Sequence, residues 1–150
     1  MCVHSCKYNY FDYVVLVKYF LNPAGGGGLI CDDHGRWVKG FLGRMGKVSS
    51  LEAELWAIRD GLILCNRLLI QELFIELDAK AVIRTLWKMQ HCYRESNACA
   101  DALAKKAVSS QIDFCILNTP PVELSQLLMQ DLSGLFCNRV CNYTAPVAVV

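Results

Sequence analysis

Glu54, Asp78 and Asp101 are three carboxylates far apart in the chain, each falling at the edge of a different expected element. Carboxylate oxygens are hard donors, so three of them brought together by a fold make a site for a small divalent cation such as Mg²⁺. Such an ion can polarise a phosphate or activate water. Singly, each has an ordinary role: Glu54 on an exposed helix surface, Asp78 as the cap of the helix that follows it, Asp101 as an acid complementing a helix dipole. Their placement on the expected elements separates these readings.

Ser49 with Glu52 three residues later forms a capping-box signature, and Leu51, Leu55, Ile58, Leu62, Cys65 and Leu69 follow at helical spacing. This predicts a helix from about Ser50 to Leu68. At 100° per residue, Glu54 lies about 60° from the middle of that stripe, at the margin facing the interior, while Glu52 and Asp60 point away. Glu72–Asp78 alternates, with Leu73, Ile75 and Leu77 on one face and Phe74 on the other, which predicts a covered strand ending at Asp78. A strand that gives way to a helix is where α/β sheets usually bind ligands. A helix from the cap Asn97 through Ala100, Leu103, Ala104, Ala107 and Val108 to about Ser109 carries Asp101 in its first turn.

The remaining elements frame these three. Tyr13–Phe20 is rich in Val, Tyr and Phe and reads as a strand, broken by Asn22-Pro23-Ala24. Gly25–Gly28 leads into Leu29-Ile30-Cys31, and the turn Asp32-Asp33-His34-Gly35 joins it to Arg36–Phe41 as a β-hairpin. Ala79–Met89 has helical composition, and Pro120-Pro121 breaks the chain before an amphipathic tail, Val122–Leu135, with Leu124, Leu127, Leu128 and Leu132 on one side.

Composition narrows the partners. With 150 residues, 54% hydrophobic and 19% charged, the chain can bury one core. A formal net charge of +1 gives no long-range pull toward phosphate, so nucleic-acid binding would need a local patch. Nine cysteines, an odd number spread through apolar segments, suggest free thiols in a reducing compartment. The pairs Cys2/Cys6 and Cys137/Cys141 lack the close doublets of zinc sites. Tyr8–Leu21 is interrupted by Asp12 and Lys18 and is shorter than the ~20 apolar residues of a membrane span. No export signal is read, and nuclear or cytoplasmic location is the expectation.

The words around the carboxylates are specific. Ala24-Gly-Gly-Gly-Gly-Leu-Ile-Cys-Asp-Asp-His-Gly-Arg-Trp-Val, Glu52-Ala-Glu-Leu-Trp-Ala-Ile-Arg-Asp-Gly-Leu, Ile75-Glu-Leu-Asp-Ala-Lys-Ala-Val and His91-Cys-Tyr-Arg-Glu-Ser-Asn-Ala-Cys-Ala-Asp-Ala-Leu-Ala closely resemble the type 1 ribonuclease H domain in its plant retroelement-derived version. The tail words Asn118-Thr-Pro-Pro-Val-Glu and Asp131-Leu-Ser-Gly are similar to the same group.

The resemblance implies an α/β fold, a mixed sheet with flanking helices, and a carboxylate cluster binding two Mg²⁺ ions, with Mn²⁺ as a substitute. Metal-dependent hydrolysis of the RNA strand of an RNA–DNA hybrid follows from it. Carried over, Glu54, Asp78 and Asp101 match the catalytic, metal-binding acids, and His91 matches a loop histidine that helps proton transfer or product release.

Two departures accompany the match. The family's first strand ends in Asp-Gly-Ser or similar, but here Val15–Leu21 has no acid, and Asp12 stands four residues upstream of the expected position, about 13 Å along a strand. The stretch between Asp78 and His91 is also too short for the family's helices and fifth strand. The expectation is an incomplete fold with an altered first strand and with the fifth strand and one helix missing. It divides into an atypical segment 1–21, a truncated domain 22–117 and an amphipathic tail 118–150. Such a copy is impaired as an enzyme; the alternative is a non-catalytic nucleic-acid-binding or interaction remnant of a retroelement.

Overall fold

A computed structural model describes residues 13–21, 23–77, 90–91, 98–133 and 147–148. Asp78, the expected helix Ala79–Met89, the cap Asn97 and the two terminal cysteine pairs lie outside the described residues.

Three long antiparallel strands come first: β1 (Tyr13–Phe20), β2 (Ala24–Asp32) and β3 (Trp37–Gly46). The β2–β3 turn closes because Gly35 takes φ 74°, and because the Asp32 carboxylate accepts from the amides of His34 and Arg36, both at 2.9 Å. Arg36 Nε donates to its other oxygen at 2.7 Å. Burial alone would raise the Asp32 pKa, but these hydrogen bonds and the Arg36 charge outweigh it and hold the carboxyl below its ordinary range.

Helix α1 (Ser50–Arg67) opens on the expected capping box, with both Ser49 and Glu52 satisfying backbone amides. It ends in a Schellman turn, in which Ile70 N donates to Cys65 O and Leu69 N to Asn66 O, with Leu69 at φ 59°. Strand β4 (Glu72–Leu77) then lies parallel to β1, and β5 (Gln90–His91) parallel to β4. Helix α2 (Ala98–Ser110), strand β6 (Cys115–Leu117), a 3₁₀ turn (Val122–Leu124), helix α3 (Ser125–Ser133) and strand β7 (Val147–Ala148) complete the described chain. The strand order is β5-β4-β1-β2-β3-β6, and β7 pairs antiparallel with β4.

Three expectations change. The fifth strand is present as a two-residue stub rather than missing, because Gln90 and His91 pair with Glu76 and Leu77. Residues 13–20 pair with β2 over their whole length and with β4 through Val14–Leu16, so the sheet begins ahead of residue 22. The buried stripe of α1 is Ala53, Glu54, Ala57, Ile58, Gly61, Leu64 and Cys65, whereas Leu51, Leu55 and Leu69 are exposed.

Small residues explain that rotation. A Cβ on Gly26 would lie 3.2 Å from the Ala57 methyl, and one on Gly61 would lie 3.2 Å from Val15, so α1 meets the sheet through its alanines and glycine. On the other face, a Cβ on Gly27 would come within 2.8 Å of the Ala104 amide nitrogen. The glycine run of β2 therefore lets a helix approach from each side.

Two cores result. One holds Val15, Val17, Ile30, Phe41, Leu73, Ile75 and Leu77 under Ala57, Ile58 and Leu64 of α1. The other holds Leu29, Cys31 and Leu42 under Cys99, Ala100, Leu103 and Ala107 of α2. Leu124 is fully buried in the second core, worth about 2 kcal/mol for a leucine side chain, with Leu127 and Leu128 packed beside it. The tail is thus held to the α2 face. Cys31, Cys65 and Cys99 are buried and form no disulfide, and burial pushes the Cys65 thiol up to about 12.

Candidate active site

Among the described residues, the buried charged side chains are Glu54 on α1 and Glu76 on β4, at 5% and 2% exposure. An ionised carboxylate is costly to bury without compensation, so each of the two positions stands out in a small domain. Glu54 is deeper than its place at the margin of a leucine stripe predicts, because the alanine and glycine side of the helix turns inward. Glu76 was not singled out by the sequence reading. The signal was available: β4 alternates, and the face opposite Leu73, Ile75 and Leu77 is covered as well.

Asp101 lies in the first turn of α2, its carboxylate largely buried, with Lys105 Nζ 2.6 Å from Oδ2 one turn on. The glycine contacts fix its level. Gly25 meets Ala107 and Val108, and Gly27 meets Leu103 and Ala104, so α2 descends as β2 ascends. Asp101 is roughly 4 Å further along the helix, about one strand residue, which brings it near the level of Gly28. Gly28 pairs with Val17, and the next rung joins Leu29 to Leu16.

Leu16 stands four residues after Asp12, where the resemblance places the missing acid. Its Cα partners are Leu29 on β2 and Glu76 on β4. The position expected to carry a carboxylate is therefore central in the sheet, beside a buried carboxylate, and it is occupied by leucine. Asp12 and Asp78 lie outside the described residues. The backbone position that precedes Asp78 is described: Leu77 is the last residue of β4 and pairs with His91. His91 is thus at the end of a short edge strand rather than in a loop, directly alongside the end of β4.

Among the described residues, the one group of three potential metal ligands with all donor atoms within 4.8 Å of one another is Asp32, Asp33 and His34, in the exposed hairpin turn. Asp33 Oδ1 is 2.6 Å from His34 Nδ1, and Asp32 is engaged by Arg36. These groups are already used in closing the turn. No described helix is long and apolar enough to cross a membrane.

Comparison with known proteins agrees with this architecture. The sequence profile of the reverse transcriptase-like family matches residues 14–88. A protein of Arabidopsis thaliana named for ribonuclease H is 28% identical over 141 residues, covering 75% of this chain and 23% of its own length. The chain therefore spans about a quarter of that relative, and the alignment includes residues that the relative has and this chain lacks.

Two solved structures share the fold. A ribonuclease H1 crystallised in complex with an RNA/DNA hybrid has a TM-score of 0.57 and 19% identity, covering 65% of this chain and 97% of that one. The N-terminal ribonuclease H domain of a Mycobacterium tuberculosis protein, solved as a maltose-binding-protein fusion, has a TM-score of 0.62 and 19% identity, covering 68% and 96%. The match extends over half of the chain and includes β1 to β4 and α1, the elements that carry Leu16, Glu54 and Glu76; the chain belongs to the reverse transcriptase-like family, on a ribonuclease H fold.

Proposed function

We propose that the chain is a ribonuclease H-type domain that binds RNA paired to DNA and is impaired in hydrolysing the RNA strand. The observation that carries this reading is Leu16, an apolar residue in register with the buried Glu76 at the place where the family resemblance calls for an acid. The frame around it supports retained binding: Glu54 is buried on α1, Asp101 starts α2, and β4 ends immediately before Asp78.

Glu54, Asp78 and Asp101 are the residues that would hold Mg²⁺ or Mn²⁺, since their donors are all carboxylate oxygens, which suit hard divalent ions. A bound ion supplies Lewis acidity at the phosphodiester and lowers the pKa of its water. Leu16 has no donor atom, so the set is one carboxylate short of what two ions sharing a ligand need. Lys105 neutralises Asp101 and competes with any cation for it. His91, on β5 beside the end of β4, is the residue that would relay a proton or ease product release.

A second reading, binding with no catalysis at all, is favoured by the same leucine. Incubating the purified protein with a labelled RNA–DNA hybrid and Mg²⁺ or Mn²⁺, beside an Asp78→Asn control, tests both. Hybrid binding is expected, with cleavage close to background. Efficient cleavage that the control abolishes contradicts the impairment, and failure to bind hybrid contradicts the function.

A further inference from the structure

A cavity of about 390 Å³ lies on the outer side of α1, between that helix and the ends of β3 and β6. Its helical lining comes from Trp56, Arg59, Asp60, Ile63 and Arg67. At 100° per residue these lie roughly 140–240° around the helix from Glu54, so the cavity is separated from the carboxylates by the helix itself. The volume falls within the range of single-ligand pockets.

Its walls are of two kinds. Trp56 and Ile63 on the helix, with Met45 and Phe114 opposite, are apolar; Trp56, Ile63 and Phe114 each stay more than two-fifths exposed. Arginines stand among them. Arg59 lies over the Trp56 ring, 3.7 Å from its centroid, and is fixed there by Asp60 at 2.8 Å. Arg44 is 3.6 Å from Asp113. Arg67, in the last turn of α1, has no ion pair among the described residues. The lining therefore carries three guanidinium groups against two carboxylates, an excess of one positive charge beside exposed rings.

We propose that this cavity binds one nucleotide unit of a single-stranded polynucleotide, with the base against the aromatic and aliphatic wall and the phosphate on Arg67 and Arg44. Exposed rings with fixed guanidinium groups are the chemistry that receives bases and backbone without reading sequence. Asp60 holds Arg59 before any ligand arrives, so less side-chain freedom is lost on binding. The ligand choice rests on the nucleic-acid reading above. The site does not share its residues.

Fluorescence anisotropy with a labelled short oligouridine and, separately, a labelled RNA–DNA hybrid tests this on the full chain, with Trp56→Ala and Arg67→Glu and a melting curve for each variant. Trp56→Ala is expected to weaken oligouridine binding about tenfold, as for loss of one stacked base. Arg67→Glu is expected to weaken it and to lower the salt dependence by about one phosphate contact. Hybrid affinity should stay unchanged in both. No oligouridine binding by the wild-type chain, binding that ignores both variants, or parallel loss of hybrid and single-strand binding each overturns the proposal. Oligouridine binding without hybrid binding upholds this site and removes the hybrid reading.

Discussion

The sheet is built differently on the two sides of β1. Toward β2 and β3 the strands pair over long stretches, and glycines admit α1 on one face and α2 on the other. Toward β4 the pairing with β1 runs through Val14–Leu16, and the other partners of β4 are the two-residue strands β5 and β7. The side that positions Glu54 and Asp101 is the thoroughly packed one. The side that leads to Asp78 and His91 rests on short strands. Leu16, paired with Leu29 on one side and Glu76 on the other, sits at the seam between them.

Hydrogen exchange is the broadest way to break that contrast. Amides in the middle of β2 and β3 are expected to open only with global unfolding, at least ~100-fold more slowly than those of β5, whose pairing is two residues long. Equal protection would mean that the two sides unfold as one body.

Glycine substitutions probe the packed side. Gly27→Ala drives a methyl against the Ala104 backbone nitrogen at 2.8 Å, which the helix can relieve only by moving, at a cost of about 2 kcal/mol in urea denaturation. Gly26→Ala meets first the terminal methyl of Met45, which can swing aside, and should cost less than about 1 kcal/mol. If the order is reversed, the two faces are not held as described.

Leu69 offers a stabilising change. It takes φ 59° at the end of α1 while 85% exposed, so it pays the left-handed penalty and gains little from burial. Leu69→Gly should raise stability by about 1 kcal/mol in the same denaturation assay.

The smallest effect is at the hairpin. The folded pKa of Asp32 is lowered from 3.8, so its contribution is fully present above that value and is lost as pH falls through the folded pKa. Asp32→Asn should remove that part of the acid limb of the stability curve, by an amount kept small by solvent screening.

What could be read in advance follows from element length and residue size. The start of α1 was legible from its capping box, β4 from its alternation, and β1 from its Val, Tyr and Phe content. β6 and β7, at three and two residues, are too short to show any such pattern. The inward face of α1 was misread because leucines were counted as the stripe, although Ala53, Ala57 and Gly61 permit closer contact than leucine does. That error also understated the burial of Glu54. Glu76 escaped notice for a related reason: alternation sets it opposite Leu73, Ile75 and Leu77, and a charged residue there was not weighed as buried, although it is 2% exposed.

In the reading proposed above, one side chain in β1 separates a competent metal site from this one. Leu16→Asp tests it directly, read by Mn²⁺ titration calorimetry, by melting with and without Mn²⁺, and by cleavage of a labelled RNA–DNA hybrid. Placing a second carboxylate in register with Glu76 should destabilise the metal-free protein through like-charge repulsion, and Mn²⁺ should restore its stability. Stoichiometric Mn²⁺ binding is expected, with cleavage raised at least ~100-fold over the wild-type chain, as when a missing metal ligand is supplied. A wild-type chain that already cleaves as fast as a folded Leu16→Asp variant would contradict this reading.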